Sequence, residues 1–443
     1  MNTPVYDFAK KYAAGGKVRL HMPGHKGVSA LGCEALDLTE IPGADELFAP
    51  AGIIAESEEN AGKLFRCRTL YSTEGSSHCI RAMLYLALLH AAASGRPPVI
   101  AAARNAHRAF LTAAMLLGFE IVWLPQSSGS SYLSFSLTES AMQSCLPHQP
   151  AALYLTRPDY LGNLCDIPSA ADFCRRHNML LLVDNAHGAY LRFLQKSLHP
   201  SDCGADLCCD SAHKTLPVLT GGAYLHIADS APAVCFERCR QAMALFGSTS
   251  PSYLILESLD LCNRYLSEEY PQKLQTFLKS VRSLREKLSA QGWSLCGSEP
   301  LKLTLRTKPF GYSGGELDSI LQEKGIFCEF ADTDYLVMML TPELTDDDLH
   351  RTECALLSVQ KRPPLPEIQL PPLHTGTVLR PREFLFAETE ILPVSECAGR
   401  ICAETAVSCP PAVPLVLCGE RMTPEAAGAM RLYGKTTCAV VKE

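Results

Sequence analysis

The chain has 443 residues, 47% hydrophobic and 20% charged, which is enough for two or three domains with large cores and too apolar for a disordered chain. Its formal net charge is −7 and no long basic run appears, so nucleic acid and anionic membrane surfaces are not expected partners. No stretch has the length of a transmembrane helix, and the start MNTPVYDFAKKYAAGG lacks the apolar core of a signal peptide. The 20 cysteines are scattered, many of them in apolar runs (Cys79, Cys296, Cys328), with no CxxC pair. Cys235 and Cys239 have no histidine nearby to complete a zinc site. A reduced, cytoplasmic protein without a metal site is expected.

In chain order, HMPGHKG (21–27) carries a Pro-Gly turn signal, and its histidines, His25 among them, are either solvated or at the mouth of a site. From Leu70, Gly75, Ser76 and Ser77 lead into a helical run. Free N–H groups, the helix dipole and two hydroxyls there make either a plain cap or a phosphate cradle. Strand is expected at Pro97–Ala103, helix at His107–Gly118, then strands at Glu120–Pro125, Ala151–Thr156 and Met179–Asp184, with the helix SAADFCRRHN before the last. This alternation predicts an α/β fold with a mostly parallel sheet flanked by helices, and ligands outside the carboxyl ends of the strands. The polar residues obey that rule: Arg104, Asn105 and His107 follow one strand, Asp184 and His187 another.

CCDSAHKTLPVLTGG (208–222) sets Lys214 between Asp210, Ser211 and His213 on one side and Pro217, Gly221 and Gly222 on the other. Most lysines in such a loop lie on the surface. A desolvated one with a lowered pKa forms a Schiff base with an aldehyde cofactor. Beyond residue 270 a long amphipathic helix, LKLTLRT, IFCEFADTDYLVMML and TDDDLHRTECALLSV suggest a smaller α+β domain, and the proline-rich Lys361–Leu373 reads as a linker. The expected division is an N-terminal segment 1–30, a large domain 31–270, a small domain 271–365 and a C-terminal domain 366–443. No internal repeat is found.

Singly, His107 reads as a helix-start residue rather than a stacking ring, and Asp184 as readily as a turn residue as a partner for a protonated ring nitrogen. Jointly, a phosphate cradle, a histidine, a strand-end aspartate and Ser-x-His-Lys, in that order, are the parts a pyridoxal phosphate site needs.

The matching stretches are HMPGHKG, DLTEIPGADELFAP (37–50), GSS (75–77), ARNAHRA (103–109), LTRPDYLG (155–162), DNAHGAY (184–190), DSAHKTL (210–216), STSPSY (248–253) and GRICAE…PPAVP (399–414). They run in order over nearly the whole chain. On them the chain resembles the Orn/Lys/Arg decarboxylases, fold-type-I pyridoxal-phosphate enzymes, in the short form without an N-terminal wing.

The resemblance implies pyridoxal 5'-phosphate as cofactor and decarboxylation of a basic L-amino acid (arginine, lysine or ornithine). It implies Lys214 as the Schiff-base lysine, Asp184 as partner of the ring nitrogen and His107 as the stacking ring. His187, Ser211 and His213 would lie beside the cofactor, and Gly75, Ser76 and Ser77 at its phosphate. A proton would return to Cα from Lys214 or His213. Thr249 and Ser250 would approach the cofactor of a neighbouring subunit, so a homodimer or higher even oligomer with sites at the interface is implied. His25, Arg157 and Glu404 are substrate candidates, with Asp45 and Glu46 comparable to Glu404. For Arg157 the reading as a structural partner of Asp159 or Asp166 is preferred to that of a substrate-carboxylate binder. The chain departs from the family pattern at His78, Arg157, Asn185 and Gly221. The alternatives are another fold-type-I enzyme, an aminotransferase or lyase for which Arg306 is an available carboxylate binder, or a non-catalytic relative that binds the cofactor.

Overall fold

The computed structural model describes residues 1–126, 131–367, 376–405 and 413–442. Two compact units are present. The first comprises 1–97, 151–154 and 167–275, the second 98–150, 155–166 and 276–443. The strands of the doubly wound region are β1 (Arg68–Ser72), β2 (Val99–Ala102), β3 (Glu120–Trp123), β4 (Ala152–Thr156), β5 (Leu180–Asp184), β6 (Leu207–Asp210) and β7 (Ala223–Ile227).

In the first unit the strand order is β1-β7-β6-β5-β4. β5 and β6 are parallel, with Asp184 opposite Cys209, while β7 runs antiparallel to both β1 and β6. The fully buried LLLVD and LCCD runs are what a sheet covered on both faces requires. The helix Gly75–Ala93 packs on β5, β6 and β7 and is apolar nearly all round, as a helix enclosed by its neighbours must be.

The helix Tyr253–Glu268 anchors the N-terminus. Its Asp260 carboxylate accepts the Val5 and Tyr6 N–H groups (2.9 and 3.1 Å) at the start of the helix Pro4–Ala14. Close by, Glu257 is 3% exposed and makes a different demand. Burial first, then the charges of Asp37 and Asp260, push its pKa up to about 8. A carboxyl raised in this way is stabilising in its protonated form. Its contribution is complete below the unfolded value of 4.5 and is lost as pH rises to about 8. Glu257→Gln is therefore expected to match the wild type in urea denaturation at pH 5 and to exceed it by about 1–3 kcal/mol at pH 8.5. An equal difference at both pH values would overturn this account.

In the second unit β2 and β3 pair in parallel, Val99 opposite Glu120. The helix Arg108–Leu117 has His107 as N-cap and ends on Gly118 in the left-handed region (φ 75°), as its sequence predicts. A four-stranded antiparallel sheet follows in the order β10-β11-β9-β8, from β8 (Ser294–Cys296), β9 (Lys302–Arg306), β10 (Phe330–Ala331) and β11 (Tyr335–Met339). Reciprocal capping boxes, Ser313 with Glu316 and Thr345 with Asp348, begin the helices Gly314–Glu323 and Asp346–Leu357. The C-terminal part pairs β12 (Thr389–Pro393) with β13 (Thr437–Val441) over a core of Val394, Cys402, Met422 and Val440.

The proline-rich run is not a free tether over its described part. Residues 361–367 form no helix or strand, yet the Arg362 N–H bonds Phe310 O (3.1 Å) and the Leu365 N–H bonds Lys308 O (3.0 Å). The remainder, 368–373, lies outside the described residues, as do 406–412 of the GRICAE…PPAVP stretch. No helix among the described residues is long and apolar enough to cross a membrane.

Candidate active site

The carboxyl ends of β5 and β6 carry the chemistry. Asp184 is the last residue of β5 and 2% exposed. Its Oδ2 accepts the Tyr154 hydroxyl (3.2 Å) from the middle of β4 and its Oδ1 the Ala186 N–H (3.1 Å). Burial raises its pKa, and the Lys214 ammonium works against that rise.

Lys214 sits in the four-residue turn Ala212–Thr215 that follows β6. It is half-buried, and its Nζ lies 2.9 Å from Nε2 of His187, a buried residue just past β5. This lysine is thus part of a constellation and not a loop residue in open solvent. His213, one position earlier, donates Nδ1–H to Gly222 O (3.0 Å), and burial lowers its pKa. With Nδ1 so engaged, the neutral ring leaves Nε2 as an acceptor.

The same turn meets the start of the helix Gly75–Ala93. Ser211 donates its hydroxyl to Ser76 Oγ (2.8 Å). The Gly75 N–H bonds Gly221 O (2.7 Å) and the His213 N–H bonds Gly222 O (3.2 Å), so the two glycines link the cradle to the lysine turn. Gly221 has φ +103°, and a Cβ there would lie 2.7 Å from Thr73 O. A side chain at this position would collide with the Thr73 carbonyl, so this backbone requires glycine here. At Gly75 itself (φ +71°) a Cβ would meet nothing within 4 Å, so the cradle is open; Ser77 is half-buried at its side. Glu74, the N-cap, makes no side-chain cap and instead accepts the Ser248 N–H (2.6 Å), which fixes the loop bearing Thr249 and Ser250, both exposed. His78 is buried between Ser72 Oγ (2.9 Å) and Met243 O (2.7 Å), where burial lowers its pKa.

Asp184, His187, Ser211, His213, Lys214, Gly75, Ser76 and Ser77 thus gather in the first unit. His107, Arg157 and Glu404 belong to the second. His107 holds the Ala109 N–H on Nδ1 (3.1 Å), which fixes its ring and tautomer. Arg157 is buried, and Asp159 gives its carboxylate to the Leu161 and Asn163 N–H groups (2.9 and 2.8 Å) and to the Asn163 amide. Arg104 is paired bidentately with Glu420 in the core, a structural role. Arg306 pairs with Glu367 at the surface, and Glu404 is half-buried.

The other candidates are in the first unit. His25 contacts Asp37 (3.1 Å) and accepts the Gly27 N–H. Asp45 is taken up at the start of the helix Ile53–Phe65, where it accepts five backbone N–H groups, those of Glu46, Ala51, Gly52, Ile54 and Ala55. Glu46 is exposed. Sequence reading missed Tyr154, whose strand period sets it beside Asp184, and the pair His199 and His226, which reach the buried Asp210 from remote segments.

The family model for the Orn/Lys/Arg decarboxylase major domain matches residues 3–297, and that for the family's C-terminal domain matches 377–440. The chain belongs to the Orn/Lys/Arg decarboxylase family. It is accordingly an amino-acid decarboxylase, the class its motifs imply. An arginine decarboxylase of Bacillus subtilis is 29% identical over 96% of this chain and 92% of its own length. The protein YaaO of the same organism is 30% identical over 96% and 93%. The fold is that of lysine decarboxylase A from Pseudomonas aeruginosa, with a TM-score of 0.79 at 18% identity over 99% of this chain and 80% of that one.

Proposed function

We propose that this Orn/Lys/Arg decarboxylase binds pyridoxal 5'-phosphate and converts a basic L-amino acid (arginine, lysine or ornithine) to its amine and CO2. The observation that carries the reading is the Lys214–His187 contact of 2.9 Å beside the buried Asp184 carboxylate. The residues fit the cofactor chemically. Gly75 borders open space at a helix start, Ser76, Ser77 and Ser211 offer hydroxyls to a phosphate, and Asp184 offers a buried charge to a ring nitrogen. When bound, the cofactor supplies a sink for the electron pair left as the carboxylate departs.

The chain's own groups do the rest. Lys214 is the anchor for the cofactor's aldehyde carbon. Asp184 holds a proton at the ring nitrogen, with Tyr154 and the Ala186 N–H keeping its two oxygens aimed. His107, its tautomer set by the Ala109 N–H, supplies a ring of fixed orientation for stacking. Lys214 or the free Nε2 side of His213 delivers the proton to Cα. His25, Arg157 and Glu404 are the residues proposed to meet the substrate. Arginine is the first substrate to test, since that is what the Bacillus subtilis relative is named for.

The active form is proposed to be a homodimer or higher even oligomer in a reducing cytoplasm. Two observations support this. Thr249 and Ser250 project from a fixed loop, and the large exposed apolar residues Val18, Leu20, Val28 and Leu31 crowd the segment holding HMPGHKG, as a subunit-covered face would. Buried thiols such as Cys79 and Cys209, pushed up by burial, suit a reducing compartment. Incubation with pyridoxal phosphate and L-arginine, L-lysine or L-ornithine, read by mass spectrometry, is expected to yield agmatine, cadaverine or putrescine. Cofactor uptake with no amine from any of the three would overturn the proposal.

A further inference from the structure

Asp210 is the last residue of β6, and the period of the strand turns its side chain to the face opposite Cys209, whose sulfur lies 3.9 Å from Asp184 Oδ1. On that hidden face Asp210 is fully buried and accepts three donors. Its Oδ2 lies 3.0 Å from His199 Nε2 and 3.1 Å from His226 Nε2, and its Oδ1 takes the Asn185 amide at 2.6 Å. His199 receives the Ser201 N–H on Nδ1, so its proton stands on Nε2, toward the carboxylate. His226 is a diagonal neighbour on β7, and its Nδ1 is engaged by Thr69 Oγ1 (2.9 Å). These are hydrogen-bond lengths, and the ring nitrogens facing away from Asp210 are committed elsewhere.

Burial alone would raise the Asp210 pKa, but His199 and His226 outweigh it and hold the carboxyl well below its usual range. Burial works against charge on His226, yet the Cys67 sulfur and Asp210 raise its pKa. A buried carboxylate costs several kcal/mol to desolvate, and an apolar residue would pack there more cheaply. Its position suggests what it does. Asn185, which it holds, follows Asp184 directly; the Asn185 N–H bonds Cys209 O (2.9 Å) and its carbonyl accepts the Gly188 N–H (2.7 Å). The turn 184–188 that carries both Asp184 and His187 is thereby pinned.

We infer that Asp210, clamped by His199 and His226, is a positioning residue for the ring-nitrogen end of the site. It aims the Asp184 turn through Asn185, so that the Asp184 carboxylate is held in line with the nitrogen on which it keeps a proton. This rests on the proposal that Asp184 pairs with that nitrogen. A network that only knits β5, β6 and β7 together would affect stability and nothing else.

The test uses the full chain loaded with pyridoxal phosphate labelled with 15N in the ring. Asp210→Asn is expected to move the ring-nitrogen resonance toward the unprotonated position and to lower kcat about tenfold with KM within about twofold. If Asp210→Asn does not fold, His226→Leu, which removes one of the donors that keep Asp210 charged, is expected to move the resonance in the same direction by less. A resonance at the wild-type position in the folded variant overturns the inference and leaves the functional proposal standing. A wild type that takes up no cofactor overturns both.

Discussion

Lys214→Ala protein is expected to form no measurable amine from arginine, lysine or ornithine, a loss of at least ~10³-fold. Three features of the structure make the effect large. The ammonium lies 2.9 Å from His187, it is within electrostatic reach of Asp184, and its turn is bonded to the helix start that carries Ser76. An alanine removes the anchor and one of the two proton carriers at once, and the sequence has no other lysine between Lys196 and Lys273. Residual structure is not at stake, because the side chain is half-buried and Lys214 N–H keeps its turn bond to Ser211 O. A second readout separates chemistry from folding. Borohydride reduction followed by peptide mapping should leave the cofactor mass on the Lys214 peptide of the wild type and on no peptide of the variant. Wild-type rates in Lys214→Ala would sink the assignment.

Asp184→Asn is expected to lower kcat by about 10²–10³-fold while the melting temperature of the cofactor-free protein stays equal to the wild type or rises. The two effects have one cause. A carboxylate at 2% exposure is costly to keep charged, and burial is the largest influence on it. An amide of the same shape removes that cost; its oxygen accepts the Ala186 N–H and its NH2 donates to the Tyr154 hydroxyl oxygen. It cannot hold a proton on a ring nitrogen by charge, so the electron sink is weakened. A loss of activity accompanied by an equally clear loss of thermal stability would show that Asp184 is structural.

Much of the site was legible because its parts are local. GSS opening a helix, a carboxylate closing a buried strand and Ser-x-His-Lys following another are each readable within a few residues, and their order matches one family over most of the chain. What was not legible lies across the sheet. Tyr154 reaches Asp184 from the neighbouring strand, 30 residues away in sequence. His199 and His226 flank Asp210 from a helix start and from an antiparallel strand, and neither stands in a recognisable motif. Asp45 looked as suited to a substrate cation as Glu404, yet its carboxylate is consumed by a helix N-terminus.

By itself, then, the sequence determined the α/β class, the family, and the lysine, aspartate and serines of the candidate site, because hydrophobic period and short motifs are properties of contiguous residues. Only the tertiary structure decided which polar groups face one another: that Lys214 meets His187, that Gly221 must be glycine beneath Thr73, and that a charged Asp210 stands behind Asp184. Strand order and register set those contacts, and both are fixed by long-range packing that no local window contains.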